Sequence, residues 1–283
     1  MKQKLALGTV QFGAQYGINN TKGIPSDKEI SEIFDFAFKS GIQILDTAPA
    51  YGNAETRIAL FSKNRFNVVT KVPLVKNSQE LKNSLSSSFS QLSLDSIYGY
   101  IFHQADNLIN IPSLWGNMQK FKESNKVQKI GYSLYTPQQL EILLGMGFIP
   151  DIVQLPYSLL DRKFEKYFIQ LKNLGVEIHI RSIFLQGLFF MDLERLPKKL
   201  SALKTNLHDL HDICKRSDIS IGSLALNFVI DNPSIDHVII GVDSKTQLLD
   251  NISMIENHTN NINRQLIKEI NVSNQELLNP ANW

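Results

Sequence analysis

The sequence predicts a parallel α/β fold, a (β/α)8 barrel of the TIM type, and three observations carry that expectation. Short, near-continuously apolar runs alternate with amphipathic stretches eight times, the pattern of strands buried on both faces beneath covering helices. The 283 residues suffice for one such barrel, which takes about 250. No glycine fingerprint of an open, doubly wound sheet follows an early strand: Gly145 and Gly147 begin one, but Pro150 stands at the third glycine position and the stretch follows a helix. No linker divides the chain, so residues 1–283 are expected to form one domain with an extra C-terminal helix.

Residues 5–9 read as the first strand, stopped by Gly8, and a loop over 10–23 follows with Gly13, Gly17 and Gly23. Ser26 caps a helix whose Ile30, Ile33, Phe34, Ala37 and Phe38 recur at the 3.6-residue period, and Gly41 ends it. Strand 42–45, helix 54–61, strand 67–72 and helix 78–92 continue the cycle, the last with Leu81, Leu85, Phe89 and Leu92 on one side. Strand 97–102, helix 113–124 and strand 127–133 come next; Pro137 then opens a helix through 144. Strand 151–155 leads to helix 162–174, stopped by Gly175, and to strand 176–180. An insert over 191–197 precedes helices 198–216 and 221–230, and strand 237–242 and helix 245–256 complete the eighth unit. The tail from 261 carries Leu266, Ile267 and Ile270 on one more amphipathic helix and ends in Trp283, which has two places to go: over the pocket mouth or against the outer helices.

Composition narrows the function classes. Lys and Arg number 29 against 27 Asp and Glu, with no block of like charge, which points away from nucleic acid and membrane surfaces and toward a small-molecule partner. No apolar run approaches a membrane span and the N-terminus lacks a signal-like apolar segment. Cys214 is the only cysteine, so no internal disulfide can form and a cytoplasmic location is expected. The Asn-x-Ser/Thr triplets at Asn251, Asn257 and Asn271 matter only in a secreted chain. His208, His211 and Cys214 are competent metal ligands, but their spacing drifts around a helix and two aspartates lie between them, so a solvated helix face is the better reading and no metal is expected. Oligomeric state is left open.

Three apolar runs deliver a charge into the loop that follows: the run ending at Asp46 leads to Tyr51 five residues later, the next ends at Lys71, and the next at His103. In a parallel barrel the strand C-termini converge on one face, so these four groups are expected to share a pocket. Singly, each has a bland reading: a helix cap, a half-buried turn aromatic, a solvated strand end, a core histidine. Together, in order and at strand ends, they suit carbonyl reduction. Tyr51 would donate a proton, Lys71 would lower the phenol's pKa, Asp46 would hold Lys71 charged, and His103 would orient the carbonyl.

Asp-Thr-Ala-x-x-Tyr-Gly at 46–52, followed by Lys71 and His103, resembles the tetrad of the aldo-keto reductase family, and the resemblance extends over nearly the whole chain. It implies NAD(P)H-dependent reduction of an aldehyde or ketone. It places Gly8, Thr9 and Asp46 beside the nicotinamide, with Ser133 and Gln154 on its carboxamide; Leu134 stands where the family has an Asn. Arg181 takes the position of an aromatic that stacks on the nicotinamide, with Ser182 next to it. Gly241, Ser244, Lys245, Gln247 and Asn251 resemble the segment that holds the adenosine phosphate and adenine. The one lysine, Lys245 beside Asp243, makes a weak phosphate site, but a serine able to bond the phosphate, a helix N-terminus and the family's usual coenzyme imply NADP(H) over NAD(H) by a modest margin, with NADH also accepted. The version Arg-Ser-Ile-Phe-Leu-Gln-Gly-Leu at 181–188 resembles a bacterial branch associated with surface-polysaccharide pathways, which suggests a sugar-derived carbonyl. Two other readings stand beside the enzyme: a nucleotide-sensing binding protein like the family's potassium-channel β subunits, and a Schiff-base aldolase acting through Lys71. Substrate choice is expected to reside in the loops 13–23, 104–112 and 189–197.

Overall fold

Eight short strands pair in parallel and in sequence order, and the last returns to the first, so the sheet closes on itself. They are β1 (Leu5–Gly8), β2 (Ile44–Asp46), β3 (Asn67–Val72), β4 (Ile97–Phe102), β5 (Val127–Ser133), β6 (Ile152–Pro156), β7 (Glu177–Arg181) and β8 (His237–Gly241). The computed structural model describes residues 2–18, 20, 22–256 and 264–283. The expectation drawn from the eightfold alternation is met: this is the closed (β/α)8 barrel of the TIM type. Asn257 and the first residues of the expected tail helix, 261–263, lie outside the described residues.

Because strand side chains alternate between faces, each strand serves two cores. Ala6, Ile44, Val69, Ile101, Ile152 and Ile239 fill the barrel interior. Their neighbours on the other face, among them Leu5, Leu45, Val68, Tyr100 and Val153, pack under the helices. The interior residues fix the direction of the site. Two positions further along the same strands stand Gly8, Asp46, Lys71, His103, Gln154 and Gly241, which therefore point inward at the C-terminal rim.

The helices are α1 (Asp27–Lys39), α2 (Ala54–Phe61), α3 (Ser78–Leu92), α4 (Ala105–Asn110), α5 (Leu114–Glu123), α6 (Pro137–Gly145), α7 (Phe168–Asn173), α8 (Lys204–Ser217), α9 (Ile221–Ile230), α10 (Lys245–Glu256) and α11 (Arg264–Glu269). Local chemistry starts them: as expected, the Ser26 hydroxyl accepts the Glu29 N–H and Pro137 opens α6, where the structure adds a capping box between Thr136 and Gln139.

Three expectations need correction. The helix expected over 162–174 is α-helical only in α7, after a 3-10 turn at Glu165–Tyr167, because Ser158 and Asp161 close a turn and Arg162 reaches back to the Ile270 carbonyl at 2.7 Å. The helix expected from 198 begins as a 3-10 segment, Lys198–Leu203, before α8. The loop 104–112 contains α4, where Asn107 clamps both the N–H and the carbonyl of Val75, so much of it is structural. Trp283 donates its indole N–H to the Leu277 carbonyl and packs beside Lys199 and Leu200, which settles it on the outer surface rather than over the pocket mouth.

At the opposite end of the barrel, Glu177 accepts from Tyr98 and Lys129, while His179 is fully buried with its ring 4.8 Å from that of His237. Burial and the neighbouring His179 push His237 down to about 4, so this floor holds a neutral imidazole. The sequence reading missed the cluster, since its residues come from four strands, β4, β5, β7 and β8, spread along the chain. It considered instead His208, which is exposed on α8, and Cys214, which is buried on another side of the same helix.

Candidate active site

Asp46 is the last residue of β2, Lys71 the penultimate residue of β3, and His103 follows the end of β4. Their convergence is direct. The Lys71 Nζ donates to Asp46 Oδ2 at 2.7 Å and to the Thr47 carbonyl at 2.9 Å, and the same ammonium lies 5.1 Å from the centre of the Tyr51 ring. The Tyr51 and His103 rings meet edge to face with centroids 5.9 Å apart. Tyr51 is held by a turn after β2, its N–H donating to the Ala48 carbonyl, and the turn packs against Gly13. That approach needs glycine on both sides. A Cβ on Gly13 would lie 1.7 Å from the Tyr51 carbonyl oxygen; Gly52 has φ +57° and its Cβ would lie 2.3 Å from the Gly13 carbonyl oxygen.

Electrostatics distinguishes the four groups. Burial opposes the Lys71 charge, but the adjacent Asp46 carboxylate, aided by Tyr51, outweighs it and carries the ammonium's pKa above its ordinary value. The opposite balance holds at Tyr51, where burial raises the phenol's pKa by more than the Lys71 charge lowers it. Lys71 acts on the Tyr51 pKa in the expected downward direction, but desolvation is the larger effect, so the net shift is upward. Burial, reinforced by the Lys71 charge, pushes His103 down to about 4, so its imidazole is neutral at ordinary pH.

A cleft of about 590 Å³ opens at this rim. Gly8, Thr9, Asp46, Tyr51, His103, Ser133, Gln154, Arg181, Ser182, Gly241, Gln247 and Asn251 line it, while Lys71 stands behind its wall, 1% exposed. Ser244 and Lys245 are outside the lining. Two side chains expected to face a coenzyme also serve the protein: Gln154 donates its amide N–H to Asp46 Oδ1 at 2.7 Å, and the Thr9 hydroxyl donates to the Asp46 carbonyl at 3.0 Å. Asp46 is thereby fixed from three directions. Arg181 stacks 4.4 Å over the Tyr135 ring and donates to the Leu134 carbonyl at 2.9 Å, so the residue at the family's Asn position contributes through its backbone. Buried Gln11 Oε1 and Asp243 Oδ1 have no partner among the described residues and border the cleft, which fits a ligand rich in hydroxyl and amide donors such as a nicotinamide dinucleotide.

Sequence reasoning did not single out Tyr16, Tyr135 or Gln186, which also line the cleft. The Gln186 amide donates to the Tyr16 hydroxyl at 3.0 Å, joining the loop after β1 to the loop after β7 across the opening. Tyr135 had a signal, since it lies just beyond the strand end at Ser133. Tyr16 had none.

An eight-stranded parallel barrel with a carboxylate, ammonium, phenol and imidazole gathered at its C-terminal rim is the arrangement of a barrel oxidoreductase. A family model for the aldo/keto reductase family matches residues 4–272, and the chain belongs to that family. It is an NAD(P)H-dependent oxidoreductase by that membership. The chain is 22% identical over 277 residues to the NADH-specific methylglyoxal reductase of Escherichia coli, covering 83% of this chain and 85% of the relative. It is 27% identical over 295 residues to the uncharacterized oxidoreductase YrpG of Bacillus subtilis, covering 89% and 87%. Among solved structures, the holo form of aldo-keto reductase AKR11C1 from Bacillus halodurans superposes with a TM-score of 0.77 over 96% of this chain and 93% of that one, at 20% identity, a likeness of fold. Among the described residues, no helix is long and apolar enough to cross a membrane.

Proposed function

We propose that the 1–283 chain reduces a small aldehyde or ketone to the alcohol, with Tyr51 as the proton donor. The observation that carries this reading is the position of Tyr51 between the Lys71 ammonium and the neutral His103 ring at the mouth of the cleft. A bound nicotinamide coenzyme supplies the hydride. Gly8, Ser133, Gln154, Arg181 and Ser182 would hold its nicotinamide half, and Gly241, Gln247 and Asn251 its adenosine half. The raised pKa of Tyr51 keeps the phenol protonated at neutral pH, the form a proton donor must have. As charge develops on the substrate oxygen, Tyr51 passes its proton to it and the fixed Lys71 charge stabilises the phenolate left behind. Asp46 holds Lys71 in place and charged; neutral His103 donates a hydrogen bond that orients the carbonyl.

The substrate side of the cleft mixes aromatic and amide groups, Tyr16, Tyr135, Phe184 and Gln186, which suits a small polar carbonyl such as a sugar-derived aldehyde. A relative named for methylglyoxal reduction supports including that compound in a trial panel. The Schiff-base reading needs a neutral Lys71 amine, which the Asp46 ion pair disfavours. A nucleotide sensor that performs no chemistry would leave the Tyr51 phenol without a role. Of the grounds for a preference for NADPH, which also included the helix N-terminus and the family's usual coenzyme, the side chains of Ser244 and Lys245 stand outside the cleft lining.

The test is consumption of NADH and NADPH, followed by nicotinamide absorbance, against methylglyoxal, pyridoxal and sugar aldehydes, in wild type and Tyr51→Phe. Turnover falling by about 100-fold or more in the variant, with coenzyme binding retained, is the expected result. Turnover at the wild-type rate in Tyr51→Phe removes the phenol from the mechanism.

A further inference from the structure

We propose that Glu29 and Asp243 make this cleft select NADH over NADPH: Asp243 lines its α10 end with a carboxylate, and Glu29, from outside the lining, occupies the Lys245 N–H at the start of α10. The inference rests on the coenzyme reading above. A dinucleotide whose nicotinamide meets Tyr51 would extend past Gly241 to the start of α10, where Asp243, Gln247, Asp250 and Asn251 are among the lining residues. The 2′-phosphate on the adenosine ribose is the sole difference between the two coenzymes, so groups near this end decide between them.

Three observations place negative rather than positive charge there. First, donors that an anion would use at the α10 N-terminus are already engaged by the protein. The Lys245 N–H donates to Glu29 Oε1 of α1 at 2.7 Å, the Gln247 N–H to Ser244 Oγ at 3.3 Å, and the Asp243 N–H to Gln247 Oε1 at 3.0 Å. A carboxylate thus occupies the position that helix geometry offers to a phosphate. Second, the Lys245 ammonium lies over the Phe36 ring of α1, 5.9 Å from its centre, directed at the outer helix layer. Third, the lining at this end carries Asp243 and Asp250, and among the described lining residues the guanidinium of Arg181 on β7 is the one permanent cation.

Asp243 Oδ1 is buried with no partner among the described residues. An unpaired acceptor of this kind is satisfied by a ribose hydroxyl, which donates, and repels a phosphate, which cannot. Glu29 comes from α1, so the device is built by two helices packed together: an acid on one caps the other and closes its N-terminus to anions.

The test is the dissociation constant of each coenzyme by isothermal titration calorimetry in wild type, Glu29→Gln, Asp243→Asn and the double variant, at low and high sodium chloride. Both substitutions keep an acceptor oxygen and remove the charge, and thermal melts establish that each variant is folded. NADH is expected to bind wild type roughly tenfold more tightly than NADPH at low salt, because like charges a few ångströms apart at a half-exposed site repel on that scale. Added salt should narrow the gap by screening repulsion, and each neutralised carboxylate should narrow it further. Equal binding, or tighter binding of NADPH to wild type, overturns the proposal, as does a ratio unmoved in all three variants. A gap that widens with salt, with NADPH the more weakened, overturns it too, since that is the signature of a cationic phosphate site. Binding of neither coenzyme would overturn both this inference and the reductase reading, whereas equal binding of the two overturns this inference alone.

Discussion

Replacing Lys71 by Met tests whether the buried ion pair is what holds the rim together. The Lys71 and Asp46 side chains are 1% and 6% exposed, with Nζ 2.7 Å from Oδ2, so solvent screens the pair little. Removing the cation leaves the Asp46 carboxylate buried with only Gln154 and the rim backbone around it. Loss of one partner from a buried pair costs about 3–5 kcal/mol. For a chain of this size, a lowering of the melting temperature by roughly 6–10 °C should follow, at about 2 °C per kcal/mol. The double variant Asp46→Asn/Lys71→Met removes both charges and keeps an acceptor for Gln154, so it should recover much of that loss. The folded pKa of Lys71 lies above its ordinary 10.5, so the pair's contribution is complete below that pH and is lost as pH rises through the folded value. Melts followed by circular dichroism at pH 7 therefore read the pair in full. A single variant that melts with wild type, or a double variant no more stable than the single, refutes the argument that an uncompensated carboxylate is the source of the loss.

The remaining predictions concern the other groups of the rim. The phenol-to-phenyl change at Tyr51 and the coenzyme titrations are described above. His103 and His237 both stand at about 4 in the folded protein against an ordinary 6.5, so the unfolded chain binds protons that the folded one refuses. Stability should fall as pH drops from 6.5 toward 4, seen as a declining urea midpoint, and His103→Asn should flatten that decline; an unchanged slope counts against the neutral imidazole. Gly13→Ala should displace the Tyr51 turn, because the new methyl group meets the Tyr51 carbonyl, and should lower turnover at least as much as it lowers coenzyme affinity. Wild-type turnover in that variant would mean the turn is free to move.

Much of this architecture was legible before any coordinates. Parallel strands buried on both faces must be apolar along their whole length, which is why the eight runs stood out and why the strand over 67–72 and helix over 78–92 fall where periodicity put them. The candidate site was legible for the same reason: a barrel sends strand ends to one rim, so a charge that interrupts an apolar run at its C-terminus marks the pocket. Asp46, Lys71 and His103 are such interruptions. Helix 162–174 was misjudged because periodicity cannot see a side chain such as Arg162 leaving its own segment to bind the backbone of the tail.

What the sequence determined alone was therefore the barrel, the order of its strands and the chemical types gathered at its rim, since these follow from periodicities of two and 3.6 residues and from where charge is placed along them. What tertiary structure decided was the balance of energies inside the rim. Burial outweighs the Lys71 charge at Tyr51, and Asp46 outweighs burial at Lys71, a competition that depends on depth and distance. It also decided which acid faces α10: Glu29 lies 216 residues before the N–H it accepts. Local sequence carries no trace of that pairing, because it is made by the packing of the first helix against the tenth.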